Sequence, residues 1–266
     1  MPPSVDRPAG ADAAPRWSRG RLASTTGGTV RVGLYQLVRR NLRGVWVRGE
    51  LPVAPAVWIS NHHSWWDFFV AAAALREAGG PPAGVLMDPE NIANRDFYRV
   101  GASAVGTDQL RAAVELIGAG HVLVVFPEGQ LRPAGPLGPT RTGADWLARQ
   151  AGVPLFPVAI RVVLRGQQAA EAYLNIGESR PATPRRPRGD PPGRQGELGG
   201  LDESGAGDDP AGQVLAALLA GLDTELARAD PERPLPGFRR LMPGVRSWPE
   251  RFGARPERPE QNAPRR

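Results

Sequence analysis

Apolar and polar positions divide the chain into short, mainly apolar runs and longer stretches with helical period. The runs at 45–49, 57–60, 84–88, 122–126, 155–163 and 172–176 have the length and composition of buried strands. Between them lie segments whose apolar residues recur every three or four positions. The first, 29–43, sets Val30, Leu34, Leu37, Val38 and Leu42 among Arg31, Arg39, Arg40 and Arg43. The next, 68–78, is Ala-rich and stops at Gly79-Gly80-Pro81-Pro82. Segment 108–120 carries Leu110, Ala113, Val114 and Ile117 behind Asp108 as an N-cap, and 140–151 carries Trp146 and Leu147. A last helix, 212–229, presents Val214, Leu215, Leu218, Leu219, Leu222 and Leu226 on one side. Strands alternating with helices of about ten residues predict a single α/β domain with a mainly parallel sheet flanked by helices.

This places the core at 29–179, with helix 212–229 packed against it. Residues 1–28, rich in Pro, Ala, Gly and Ser, read as a disordered leader, and 180–211 as a flexible insertion. The last stretch, 230–266, reads as a basic, Pro-rich tail. It holds nine arginines and eight prolines from residue 231 on, with Phe238, Leu241, Trp248 and Phe252 scattered among them. Helix 29–43 fits a surface helix packed on the core and a membrane-lying helix equally well. The tail fits both an anionic membrane surface and solvent.

Composition narrows the function classes. The 266 residues carry a formal charge of +6, and all 33 basic residues are arginine. With no nucleic-acid-binding motif, that charge is weak support for a nucleic-acid partner. Cysteine is absent, which removes disulfides and thiol catalysis, and three histidines make a poor supply of metal ligands, so no metal site is expected. No apolar run approaches the ~20 residues that span a bilayer, and no signal peptide opens the chain. A cytoplasmic protein is expected, acting from the cytoplasmic face of the membrane if its substrates are lipids.

The candidate chemistry sits where the run 57–60 ends, in Asn61-His62-His63-Ser64-Trp65-Trp66-Asp67. On one continuous helix His62 and Asp67 would stand about 140° apart. They meet only if His62 lies in the turn before the helix and Asp67 in its first turn. The carboxylate then accepts the Nδ1 proton and leaves Nε2 as a general base. A helix cap, Asn61 or Ser64, beside an interior histidine is the plainer reading of the same residues. His63 faces elsewhere, Trp65 and Trp66 wall a pocket or simply pack, and His121 is structural. A second polar loop, Phe126-Pro127-Glu128-Gly129-Gln130-Leu131-Arg132, follows the run 122–126, at the strand end where ligands of open α/β sheets bind.

Together these blocks resemble the glycerolipid acyltransferase family, which contains the 1-acyl-glycerol-3-phosphate acyltransferases. Asn61, His62, Ser64 and Asp67 match its Asn-His-x-Ser-x-x-Asp block. Phe126 to Gly129 match its Phe-Pro-Glu-Gly block, and Val153 to Val158 its Val-Pro-φ-φ-Pro-Val block, where φ is apolar. The resemblance implies a glycerol-3-phosphate acyltransferase-like fold and transfer of an acyl group from acyl-CoA or acyl carrier protein to a lysophospholipid hydroxyl. It makes His62 and Asp67 catalytic and gives Asn61, Ser64, Glu128, Gly129 and Arg132 substrate-binding roles, with no cofactor beyond the acyl donor. Two departures stand out: Thr107 occupies the position expected for an arginine that meets the acceptor phosphate, and Arg132 is displaced by one residue. A non-phosphate or glycosylated lipid acceptor, or a non-catalytic lipid-binding scaffold, are the alternatives.

Overall fold

The computed structural model of the chain describes residues 26–89, 103–181 and 209–246. In chain order these form α1 (Thr26–Asn41), β1 (Gly44–Arg48), β2 (Ala56–Ser60), α2 (Asp67–Glu77), β3 (Ala83–Met87) and β4 (Ser103–Gly106). Then come α3 (Leu110–Gly118), β5 (Val122–Val125), α4 (Gly143–Ala151), β6 (Leu155–Val163), β7 (Glu171–Ile176), α5 (Pro210–Arg228) and β8 (Arg239–Pro243). The strands make a single eight-stranded sheet in the order β4-β3-β5-β2-β6-β7-β1-β8.

From β4 to β6 every neighbour is parallel. β7 then runs against β6, β1 runs with β7, and β8 runs against β1. The expected α/β fold with a mostly parallel sheet is therefore what forms. Its central strands are apolar on both sides because both sides are covered. Leu34 and Val38 of α1, Leu42 just after it, and Phe68, Phe69 and Leu75 of α2 close one face over Ala56, Trp58, Val122, Val124, Val158 and Ile160. The other face packs Ile117, Leu147, Leu215, Leu219 and Leu222 from α3, α4 and α5 over Val57, Ile59, Leu123, Val125, Leu155 and Ala159.

The structure differs from the sequence pattern in three places. The stretch expected to be a tail supplies β8, whose Met242 is fully buried against β1. Its Pro and Arg content hides a strand because β8 is an edge strand, with one row of backbone groups facing solvent. Asp108 does not cap α3, which starts at Leu110 with Gln109 at its N-cap and no capping side chain. α5 begins two residues earlier than its apolar stripe, at Pro210, and Asp209 caps it by accepting from the Ala211 amide at 3.1 Å. Residues 1–25, 90–102, 182–208 and 247–266 fall outside the described parts, and with them Trp248, Phe252, most of the insertion and most of the expected leader, whose last residues open α1.

One buried ionic cluster ties β1, β7 and the chain after β6 together. Glu171, with no solvent exposure, pairs with Arg43 and with Arg165 at 2.9 Å and accepts from the Tyr173 hydroxyl at 2.8 Å. Burial, followed by the hydrogen bond and charge of Glu171, raises the Tyr173 pKa, so the phenol stays protonated as the donor.

Candidate active site

β2 and β5 end level with each other, and the loops after them carry the polar residues. Beyond Ser60 the main chain of β2 leaves the sheet, while β6 continues to Val163. Two side chains from the departing loop satisfy the backbone of β6 there. Asn61 accepts from the Ile160 amide at 2.8 Å and donates to the Ile160 carbonyl at 2.9 Å, and His63 Nε2 accepts from the Val162 amide at 3.2 Å. Asn61 and His63 thus prolong the β2–β6 ladder with side-chain atoms and fix the turn that presents His62 between them.

Asp67 is the first residue of α2 and is fully buried. Its Oδ2 accepts from three donors: His62 Nδ1 at 2.9 Å, the His63 amide at 2.9 Å and the Ser64 amide at 2.8 Å. A carboxylate at that distance keeps the imidazole proton on Nδ1. The His62 ring lies flat on Phe126, with centroids 4.1 Å apart and planes 18° apart, so its orientation is set from two sides. Nε2 has no protein partner among the described residues, and the His62 side chain is 24% exposed. Ser64 serves the turn, with Oγ accepting from the Trp66 amide at 3.2 Å.

The Glu128 carboxylate is a clamp across the site. Its Oε2 accepts from the His62 amide at 2.9 Å and its Oε1 from the Gly138 amide at 2.9 Å, so it joins the His62 turn to the loop after β5. The Arg132 amide completes the join by donating to the His62 carbonyl at 2.8 Å. Gly129 has φ +69°, and a Cβ on it would stand 3.2 Å from the guanidinium carbon of Arg141. Glycine is needed there twice over, for the left-handed backbone and for the arginine that lies against it. Arg132 lies beside Gly138 with its Nε 3.6 Å from the place of a Cβ there, and Glu128 Oε1 is 3.1 Å from the same point. Two guanidinium groups therefore lie against the loop that follows β5.

Asn61, His62, Ser64, Asp67, Glu128, Gly129 and Arg132 all converge on this end of the sheet. Arg141 joins them without having been given a role in the sequence, and Phe126 of the Phe-Pro-Glu-Gly block packs on the His62 ring. Arg141 stands before α4, at a distance from the motif in sequence, and only the hydrogen bond from its amide to the Pro127 carbonyl (2.9 Å) folds it back. Thr107 lies at the carboxyl end of β4, three strands from β2, with its amide bonded to the Met87 carbonyl at 3.0 Å. Trp65 is 59% exposed and stacks on Phe69 at 4.1 Å. Among the described residues no group of three or more metal-ligating side chains assembles.

His63 is neutral by environment. Burial is the main influence, opposed in part by Asp67, and it lowers the pKa below the usual 6.5. The unfolded chain binds a proton on this histidine before the folded one does. Its contribution to stability is therefore complete above about pH 6.5 and is lost as pH falls from there through the depressed folded value. Melting curves at pH 7.5 and 5.5 should show this loss, and His63→Gln should reduce the difference between them.

An imidazole held by a buried carboxylate, with its other nitrogen unpartnered among the described residues, is equipment for deprotonating a hydroxyl. In comparisons with known proteins, residues 44–161 match the family model described as "Acyltransferase". Over 164 residues the chain is 26% identical to the chloroplastic 1-acyl-sn-glycerol-3-phosphate acyltransferase BAT2 of Brassica napus. That match covers 56% of this chain and 45% of the relative, so the chain matches less than half the relative's length. Among solved structures, the 1-acyl-sn-glycerophosphate acyltransferase PlsC of Thermotoga maritima superposes with a TM-score of 0.48 at 17% identity, covering 77% of this chain and 81% of that one.

Proposed function

We propose that this chain moves a fatty acyl group from a thioester, acyl-CoA or acyl carrier protein, to the free hydroxyl of a lysophospholipid such as 1-acyl-glycerol-3-phosphate, at the cytoplasmic face of a membrane. The observation that carries this reading is the His62–Asp67 pair, with Nε2 unpartnered among the described residues. In the reaction, Nε2 takes the proton of the acceptor hydroxyl as its oxygen attacks the thioester carbonyl. Asp67 stabilises the imidazolium that results. The tetrahedral intermediate then breaks its C–S bond, and the departing thiolate takes the proton back from His62. No covalent enzyme intermediate is needed.

Arg132 and Arg141 are the residues suited to the acceptor's phosphate, because guanidinium groups bind phosphate oxygens in pairs. Arg141 supplies a charge that Thr107 cannot. The apolar side chains Trp65 (59% exposed), Leu131 (57%) and Leu164 (68%) stand on loops at this same end of the sheet. They would face the acyl chains of a bilayer when the site faces its substrate.

The test is thiol release from a long-chain acyl-CoA and from acyl carrier protein, with lysophosphatidic acid or monoacylglycerol in detergent micelles as acceptor. Release that depends on lysophosphatidic acid is expected. Arg132→Gln and Arg141→Gln should each raise its KM by roughly 10–100-fold, the loss of one charge-assisted contact, and raise that for monoacylglycerol far less. Equal turnover of the two acceptors would favour the phosphate-free alternative that Thr107 hints at. No release with either donor and any lipid acceptor would overturn the enzyme.

A further inference from the structure

The chain between β5 and α4, which carries Arg141, is held against α5 at two places. In its middle, Arg161 of β6, a buried side chain, pairs with Asp223 of α5 through Nε and Nη2, each at 2.6 Å. Its Nη2 also donates to the Gly135 carbonyl. At its end, the Thr140 hydroxyl donates to Asp209 Oδ2 at 2.9 Å. Thr140 and Asp209 are 2% and 3% exposed, although no residue from 131 to 139 is buried.

Capping alone does not account for this pair. A helix cap needs one oxygen, and Asp209 Oδ1 supplies it to the Ala211 amide. Oδ2 is left to take the Thr140 hydroxyl, a bond to a charged acceptor away from water. Gly212, in the first turn of α5, makes room for it. A Cβ there would stand 2.5 Å from Asp209 Oδ2 and 2.8 Å from Thr140 Oγ1. Glycine is a poor helix former, and here it lets the two oxygens meet.

The next residue along is Arg141. Its amide donates to the Pro127 carbonyl at 2.9 Å, and its guanidinium lies against Gly129. The backbone that launches this side chain is thus fixed twice, by Thr140 to α5 and by its own amide to the loop after β5. Arginine has many rotamers, and a fixed base reduces the ordering left to be done when an anion binds. A slack base would let the guanidinium stand about 1 Å out of place, enough to weaken a two-point contact with phosphate.

We propose that Thr140 and Asp209 are positioning residues for Arg141, so that one buried hydrogen bond to the start of α5 sets how tightly the acceptor phosphate is held. The link to phosphate rests on the role given to Arg141 above; the anchoring of its backbone does not.

Full-length Thr140→Val, Thr140→Ser and Gly212→Ala proteins are compared with wild type in two ways. Hydrogen exchange followed by mass spectrometry reads the peptide that holds the Arg141 amide and needs no turnover. Thr140→Val and Gly212→Ala should speed its exchange about tenfold, and Thr140→Ser should restore it. Thiol release from a long-chain acyl-CoA then gives kcat and KM with lysophosphatidic acid and with monoacylglycerol. Thr140→Val should raise the KM for lysophosphatidic acid about tenfold, with kcat and the monoacylglycerol KM within about twofold. Added to Arg141→Gln it should raise that KM no further, since residues acting through one contact are not additive. Leu226→Ala, which removes an apolar contact near the far end of α5, should leave both KM values in place. Unchanged exchange overturns the inference, as does a lysophosphatidic acid KM that Arg141→Gln moves and Thr140→Val does not. A KM raised equally for both acceptors, or raised as much by Leu226→Ala, overturns it too. Faster exchange in a protein whose turnover ignores Arg141→Gln would instead refute the phosphate role of Arg141 and keep the anchor.

Discussion

His62→Ala is expected to lower kcat by about 10²–10⁴-fold, the usual contribution of a positioned general base, with the KM of donor and acceptor little changed. The pattern follows from geometry. In the proposed reaction Nε2 meets the acceptor hydroxyl when its proton must leave, while substrate binding is assigned to Arg132, Arg141 and the surrounding loops. Removing the imidazole leaves the Glu128 clamp intact, because Glu128 holds the His62 backbone amide, not its ring. Asp67→Asn should lose activity too, by a different route. It removes the negative charge opposite Nδ1 and puts an amide where three donors converge on one oxygen. Steady-state thiol release from both variants separates the outcomes, with circular dichroism to show that they fold. Full activity in His62→Ala would remove the proposed mechanism altogether.

Glu171→Ala should produce the largest loss of stability, about 3–5 kcal/mol, which is what breaking a buried ion pair from one side costs. The carboxylate is fully buried, and Arg43 and Arg165, whose side chains are each 8% exposed, would lose their charge partner. Tyr173 would lose its acceptor as well. In a chain of this size the melting temperature should fall by roughly 10 °C or more. Glu171→Gln, which keeps an acceptor, should cost less. A melting temperature unmoved by Glu171→Ala would mean that water replaces the carboxylate around both arginines.

Much of the sheet was legible because buried parallel strands have a plain signature. Apolar runs such as 122–125, and 155–163 with its single Arg161, need cover on both faces, and helical stretches of the right length lie between them. β8 was not legible: its residues Arg-Arg-Leu-Met-Pro resemble a solvated tail, and only pairing with β1 makes them a strand. In the site, the spacing of His62 and Asp67 restricts where each can sit if they are to meet, and the structure places them so. Arg141 follows a different logic. Nothing local distinguishes it from the chain's other arginines; its place depends on a loop of Pro and Gly residues folding back over Gly129. The ladder contacts of Asn61 and His63 depend on β6 outrunning β2, which no single segment reveals.

The position of β8 has a consequence for handling the protein. β1 is buried along Val45, Trp46 and Val47, yet its outer backbone edge is covered only by five residues from the far part of the chain. A truncation ahead of Arg239 would leave that edge as an open template for strands of other molecules. Such a shortened protein should self-associate in a concentration-dependent way even while His62 and its neighbours, on the other side of β6 and β7, keep their arrangement.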